Sequence, residues 1–173
     1  LEFYIISDSY QKSSSYNQNY FDYDQASSTF LSSTINNWHS EIGADNLDII
    51  RERGLNQFEV RFCPTSNICK LLETIELTKK KISETLKPFK IQPLFSAKPF
   101  NHHPGNALHI HLNFLHENMN IYQSMEELKF VIGGLLHTLV DLMIFFAPNM
   151  DSYKRYTLKS MHTPANISWG YNN

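Results

Sequence analysis

At 173 residues the chain has room for one domain with a sizeable core, and 42% hydrophobic residues place it among globular proteins. A formal net charge of −2, with both signs interspersed, leaves no basic field to displace counterions from phosphates, which excludes a nucleic-acid binder. Cys63 and Cys69, the only two cysteines, suit neither a disulfide framework nor a paired zinc spacing and are read as reduced cytosolic thiols.

Leu1 to Asp8 alternates and is rich in Phe, Tyr and Ile, which predicts a strand with Glu2, Tyr4 and Ile6 on one face. Leu1 opens inside that strand without Met, and Trp169-Gly170-Tyr171 predicts another strand at the far end, so the chain is expected to be a fragment cut at both ends. Ser9 to Gln25 is too polar to bury and is expected as a loop; a helix from about Ser28 to Ile42, closed by Gly43, follows. Strands are predicted at Leu47 to Glu52 and Gln57 to Phe62. The tight turn between them sets Glu52 and Glu59 seven residues apart, positioned to present two carboxylates to one point and hence to a hard cation, although a half-exposed strand would show the same alternation.

A second helix is predicted from about Ser66 to Leu86, with Ile68, Leu71, Leu72 and Ile75 on its apolar face, Lys79-Lys80-Lys81 on a solvated one, and Pro88 as its stop. Strands near Leu94 to Ala97 and Ala107 to Leu115 come next. In the latter, Leu108, Ile110, Leu112 and Phe114 point to the core, while His109, His111 and Asn113 point to chemistry or to water. The Lys98-Pro99 turn and the Gly105 loop in front of it deliver those histidines to one face, a combination that asks for phosphate and metal. A third helix opens with the capping box Ser124-Met125-Glu126-Glu127 and carries the stripe Leu128, Val131, Leu135, Leu139, Leu142 and Phe146. Its apolar run from Val131 to Phe146 includes His137, Thr138 and Asp141 and falls short of the ~20 residues of a bilayer span, so a core helix is expected. Asn149 to Ala165 is expected as an active-site loop.

Lys98, Pro99, Phe100, Pro104, Gly105, Asn106, Ala107 and His109 together resemble the catalytic domain of glutamine synthetase, whose pattern here is a Lys-Pro, a spacer, a Gly-rich loop, a His and a closing Ser; Asn113 stands where the Ser is usual. Glu52 to Glu59 resembles the family's Glu-x-x-x-Gly-Gln-x-Glu element, with Asn56 in place of Gly, and Leu1 to Tyr4 is similar to its Glu-x-Glu-Phe-Phe strand. Asp151-Ser152-Tyr153-Lys154-Arg155 is similar to its Asn-Ser-Tyr-Lys/Arg-Arg loop.

The resemblance implies an α+β catalytic-domain fragment over residues 1–173, with an antiparallel, half-barrel-like sheet and outer helices. It implies Glu2, Glu52 and Glu59 on one magnesium or manganese ion and His109 on a second, beside ATP. It implies His111 and Asn113 next to the nucleotide, with Gly105, His109 and Arg155 holding glutamate. The implied activity is ATP-dependent formation of glutamine from glutamate and ammonia through a γ-glutamyl phosphate, in a cytoplasmic ring-shaped homo-oligomer without nucleic-acid or membrane partners. One departure bears on the acceptor. Ammonia-using members carry a glutamate in the flap beyond the loop arginine, whereas this chain reads Ser160-Met161-His162-Thr163-Pro164, with His162 at about that position. A neutral imidazole takes a proton but does not hold ammonium as a carboxylate does. Two alternatives are therefore a γ-glutamyl-amine ligase using a small amine or polyamine, and an inactive fragment that only binds.

Overall fold

Alternation in the first strand separates a core face from a polar one, and the rest of the sheet assembles on that division. The protein is described by a computed structural model that covers residues 1–7, 31, 47–116, 119–120 and 125–157. Strand β1 (Glu2–Ser7) lies between β3 (Gln57–Arg61) and β4 (Ile91–Leu94), and β2 (Asp48–Arg51) pairs with β3. The order is β2-β3-β1-β4 and every pairing is antiparallel. Leu1, Phe3 and Ile5 bury with Ile49, Phe58, Val60 and Ile91 against Ile75, Ile82 and Leu86 of helix α1 (Ile68–Leu86). The Phe3 ring centroid stands 5.9 Å from Phe58 and 5.5 Å from Phe95, and burying a side chain of this size contributes about 2–3 kcal/mol. Leu31 is helical and joins the same core; the rest of the helix expected over 28–42, and the loop expected at 9–25, lie outside the described residues.

Helix α1 starts at Ile68, two residues past the predicted start at about Ser66, because Asn67 caps it: Asn67 Oδ1 accepts the Lys70 amide at 3.0 Å. It ends at Leu86, as expected from Pro88, which falls in a 3-10 turn over Lys87–Phe89. Its buried stripe differs from the expected one. Ile68 and Leu72 are exposed, and the face on the sheet is Thr74, Ile75, Thr78, Ile82 and Leu86, with Leu71 packed alongside. Two threonines fit there because each hydroxyl donates to a carbonyl of its own helix, Thr74 to Lys70 at 2.8 Å and Thr78 to Thr74 at 2.7 Å. A search for apolar residues passes over them.

Two strand expectations are corrected. The strand placed at Leu94 to Ala97 lies at Ile91–Leu94, where Pro93 is accommodated because β4 is an edge strand. The long strand placed at Ala107 to Leu115 reduces to β5 (Leu115–His116), paired with β6 (Met119–Asn120). Leu108, Ile110, Leu112 and Phe114 are exposed rather than core, since residues 108–114 lie in no ladder and alternation buries a face only when a sheet holds the strand against another layer.

The chain divides into two compact units, Leu1–Leu108 and His109–Asn173. The second contains β5, β6, α2 (Met125–Phe146) and α3 (Met150–Thr157). Ser124 of the predicted capping box lies outside the described residues, while Glu126 and Glu127 occupy the first turn of α2, where the helix dipole favours them. The predicted stripe on α2 is not fully buried: Leu128, Val131, Leu139 and Leu142 are half-buried, Leu135 and Phe146 are exposed, and Phe130, Val140, Ile144 and Phe145 on the other faces are exposed as well. The helix is strongly apolar, interrupted by Lys129, His137 and Asp141, and reaches back to Met125. By length and composition it is enough to cross a membrane, with a mean hydropathy of 1.8 over its most apolar 18 residues, a property shared by core helices of soluble proteins. Residues Met150–Thr157, expected within a loop, form a helix; Asp151 in its first turn and Lys154 and Arg155 in its last complement the dipole, and Lys154 Nζ donates to Asp151 at 2.6 Å. The antiparallel sheet with a helix packed on one face matches the expected α+β class.

Candidate metal and substrate site

The sheet face opposite α1 carries the chemistry. By strand alternation it presents Glu2 and Tyr4 from β1 and Gln57, Glu59 and Arg61 from β3. Glu2 is the register partner of Glu59, and Tyr4 of Gln57. A carboxylate oxygen of Glu2 lies within 4.8 Å of one of Glu59. Glu2 is buried; its Oε2 accepts the Ala107 amide at 2.8 Å, and its own amide donates to the Ala107 carbonyl at 3.0 Å. Arg61 Nε donates to Glu59 Oε2 at 2.9 Å, and that hydrogen bond, with the charge behind it, raises the guanidinium above its ordinary pKa.

Two carboxylates at this separation repel by about 3–4 kcal/mol at an effective dielectric near 20, before the exposed Arg61 is counted. Carboxylate oxygens around a gap of this size fit a hard divalent cation. Glu52 is on the same face: its amide donates to the Gln57 carbonyl at 2.9 Å, continuing the β2–β3 register past Arg51↔Phe58. Its Oε2 instead accepts the Arg53 amide at 3.2 Å, so Glu52 stands beside the Glu2–Glu59 pair without joining it.

The turn between the carboxylates closes when the Gln57 amide donates to the Gly54 carbonyl at 3.0 Å. Asn56 takes φ 61°, the left-handed conformation that the third position of a type II turn demands, and Asn tolerates it better than other residues with a side chain. This explains how Asn replaces the expected Gly. At Gly54, by contrast, an added Cβ would collide with the Tyr4 hydroxyl and come within 2.6 Å of Gln57 Oε1. Gly54→Ala is expected to destabilise the protein by about 1–3 kcal/mol, measurable as a lowered urea midpoint.

The glycine loop is fixed by buried polar groups, Tyr4, Gln57, Lys98 and Asn106. Gln57 Nε2 donates to the Gly105 carbonyl and to Asn106 Oδ1, each at 3.0 Å, and the Tyr4 hydroxyl donates to the Pro104 carbonyl at 2.9 Å. Lys98 is buried, with Nζ donating to the His103 carbonyl at 2.5 Å. The His103 ring packs edge-on to Phe100. Burial, then the charge of Lys98 and that of His102, hold His103 below its ordinary pKa of 6.5. The unfolded chain therefore takes up this proton first, and stability present above about pH 6.5 is lost as pH falls through the folded-state value. The urea midpoint is expected to drop on acidification, and His103→Gln to flatten that slope.

His109, which follows Ala107 by two residues, begins the second unit and is exposed, as is His111. Asn113 Oδ1 accepts from Asn120 Nδ2 at 3.5 Å, and Arg155 is half-buried on α3. His162 lies outside the described residues.

The family model "Glutamine synthetase, catalytic domain" matches residues 1–173. Gamma-glutamylputrescine synthetase PuuA of Escherichia coli (strain K12) is 28% identical over 130 residues, which is 72% of this chain and 27% of that protein. The glutamine synthetase of Pyrococcus abyssi is 37% identical over 83 residues, covering 46% of this chain and 19% of that protein. The chain thus spans about a quarter or less of the length of these curated relatives. Among solved structures, "Apo GmaS without ligand" superposes with a TM-score of 0.68 at 22% identity, over 89% of this chain and 39% of that one, a likeness of fold.

Proposed function

The chain belongs to the glutamine synthetase family through its catalytic domain, matched over residues 1–173, and from that premise we propose that it serves an ATP-dependent ligase joining the side-chain carboxylate of glutamate to an amine larger than ammonia. The observation that carries the ligase reading is the pairing of Glu2 with Glu59 on the polar face of the sheet. These oxygens suit magnesium or manganese, which supplies neutralisation of the phosphoryl charge when bound. Glu2 is held for that task by the Ala107 amide, and Glu59 by Arg61. Glu52, from the same sheet face, would become the third carboxylate of the set on releasing the Arg53 amide that its Oε2 accepts. His109 would take a second ion, with His111 and Asn113 beside ATP.

Arg155 suits the main-chain carboxylate of glutamate, because a planar guanidinium binds it bidentately, which would leave the side-chain carboxylate free to react. An oxygen of that carboxylate attacks the γ-phosphorus and ADP leaves; the amine nitrogen then attacks the acyl carbon, phosphate leaves, and the amine gives up a proton. His162 at the flap position suits the proton and not an ammonium ion. The larger amine is also supported by the breadth of the match to PuuA, a gamma-glutamylputrescine synthetase, across 72% of this chain. Ammonia is the competing acceptor, favoured by the glutamine synthetase matches. A ring homo-oligomer belongs to the same reading, as does a reducing cytoplasmic setting, which suits the exposed Cys63 and Cys69.

The test is phosphate release from ATP with glutamate and magnesium, comparing ammonia with a panel of monoamines and polyamines. Turnover with a larger amine supports the proposal; turnover with ammonia alone makes the protein a glutamine synthetase; none with any amine leaves only a binding role.

A further inference from the structure

Gln57 uses its whole amide. Its Oε1 accepts the Gly54 amide at 3.0 Å, inside the turn between the carboxylates, and its Nε2 reaches the Gly105 carbonyl and Asn106 Oδ1 across 48 and 49 residues of sequence. Asn106 is equally committed: Nδ2 donates to the carbonyls of Leu94 at 2.9 Å and Ser96 at 3.0 Å, and its amide donates to the Ala97 carbonyl at 2.9 Å. Both side chains are nearly inaccessible, Gln57 at 2% and Asn106 at 3% exposed. The face that carries the carboxylates, the end of the β4 segment and the glycine loop therefore meet through two amide side chains. Buried amides with their hydrogen bonds made fix geometry closely, because any displacement leaves a desolvated polar group unpaired.

We infer that Gln57 and Asn106 are positioning residues: they lock the glycine loop to the carboxylate-bearing strands and so fix the Gly105 peptide where glutamate is held. This rests on the ligase reading for the identity of the substrate, but the lock itself is a property of the loop. Glu2 and Glu59 are aligned by the β1–β3 ladder, and the loop reaches the pair through the Ala107 amide on Glu2 Oε2. Loss of the lock should thus weaken glutamate binding more than cation binding.

Gln57→Glu keeps an acceptor for the Gly54 amide and removes the donor to Gly105 and Asn106; Gln57→Ala removes both; Asn106→Asp keeps the acceptor for Gln57. Three readouts apply to each variant: hydrogen exchange of the Asn106 and Ala107 amides, Mn2+ affinity, and the kinetics with glutamate varied. The inference expects exchange at those amides at least tenfold faster in Gln57→Ala. It expects a glutamate KM raised about tenfold with kcat within threefold, Mn2+ affinity within threefold, and a smaller KM effect in Asn106→Asp. Unchanged loop exchange overturns it, as does faster exchange with unchanged KM. If the unmodified protein turns over no amine, the ligase reading fails by itself, and the lock is then judged on exchange alone: unchanged rates refute it and accelerated rates uphold it. Should Gln57→Ala fail to fold, Gln57→Glu and Asn106→Asp carry the same comparison.

Discussion

Glu59→Ala is expected to lower turnover by about 10²–10³-fold while the sheet stays folded. Glu59 sits directly across from Glu2, and removing it leaves a single carboxylate where two oxygens face each other within 4.8 Å. Phosphoryl transfer depends on charge neutralisation worth several kcal/mol, and each ~1.4 kcal/mol lost is a factor of ten in rate. The fold has little at stake, because the Glu59 carboxylate accepts from a well-exposed Arg61, and such solvent-screened pairs contribute little to stability. Relief of repulsion with Glu2 acts in the opposite direction, toward stability. Steady-state kinetics and a urea unfolding curve on the same preparation separate the two effects; near-normal turnover in a folded variant would remove Glu59 from the site.

Phe3→Ala is expected to have the opposite signature, a stability loss of about 3–5 kcal/mol from a cavity in the core. Phe3 is wholly inaccessible and packs between Phe58 and Phe95. Against a total stability of ~5–15 kcal/mol this is a fifth or more, enough to move the urea midpoint well below that of the parent. The same deletion at Phe89, which is 56% exposed, is expected to cost under about 1 kcal/mol. Equal losses at the two positions would show that the sheet does not pack as described. The pair matters for function because Phe3 and Glu2 are neighbours on one strand: the core on one side of β1 holds the carboxylate on the other.

Alternation made the sheet legible. Gln57 to Arg61 shows strict period two and Leu1 to Ser7 a looser one, and the structure has both strands, with Glu2 and Glu59 on the face expected to carry the chemistry. The same rule misled at Leu108 to Phe114, because an alternating pattern needs a strand partner and a covering layer before it means burial. Helix α1 was legible in extent and misread in face, since Thr74 and Thr78 hide their hydroxyls in the helix backbone. Arg155 was found by its motif while its helix was missed: the dipole-matched charges Asp151, Lys154 and Arg155 were the signal for α3. Nothing in the sequence revealed that Asn106 reaches Gln57, a contact between residues 49 positions apart. Spacing along the chain reports neighbours on one element; a buried amide network joins several.

The most direct test of the central claim, that Glu2 and Glu59 hold a divalent cation on this sheet, is a Mn2+ titration followed by electron paramagnetic resonance in the parent protein, Glu2→Gln and Glu59→Gln. The account predicts saturable binding in the parent and at least tenfold weaker binding in each variant, with unfolding midpoints little changed. Equal affinity in all three proteins would contradict it.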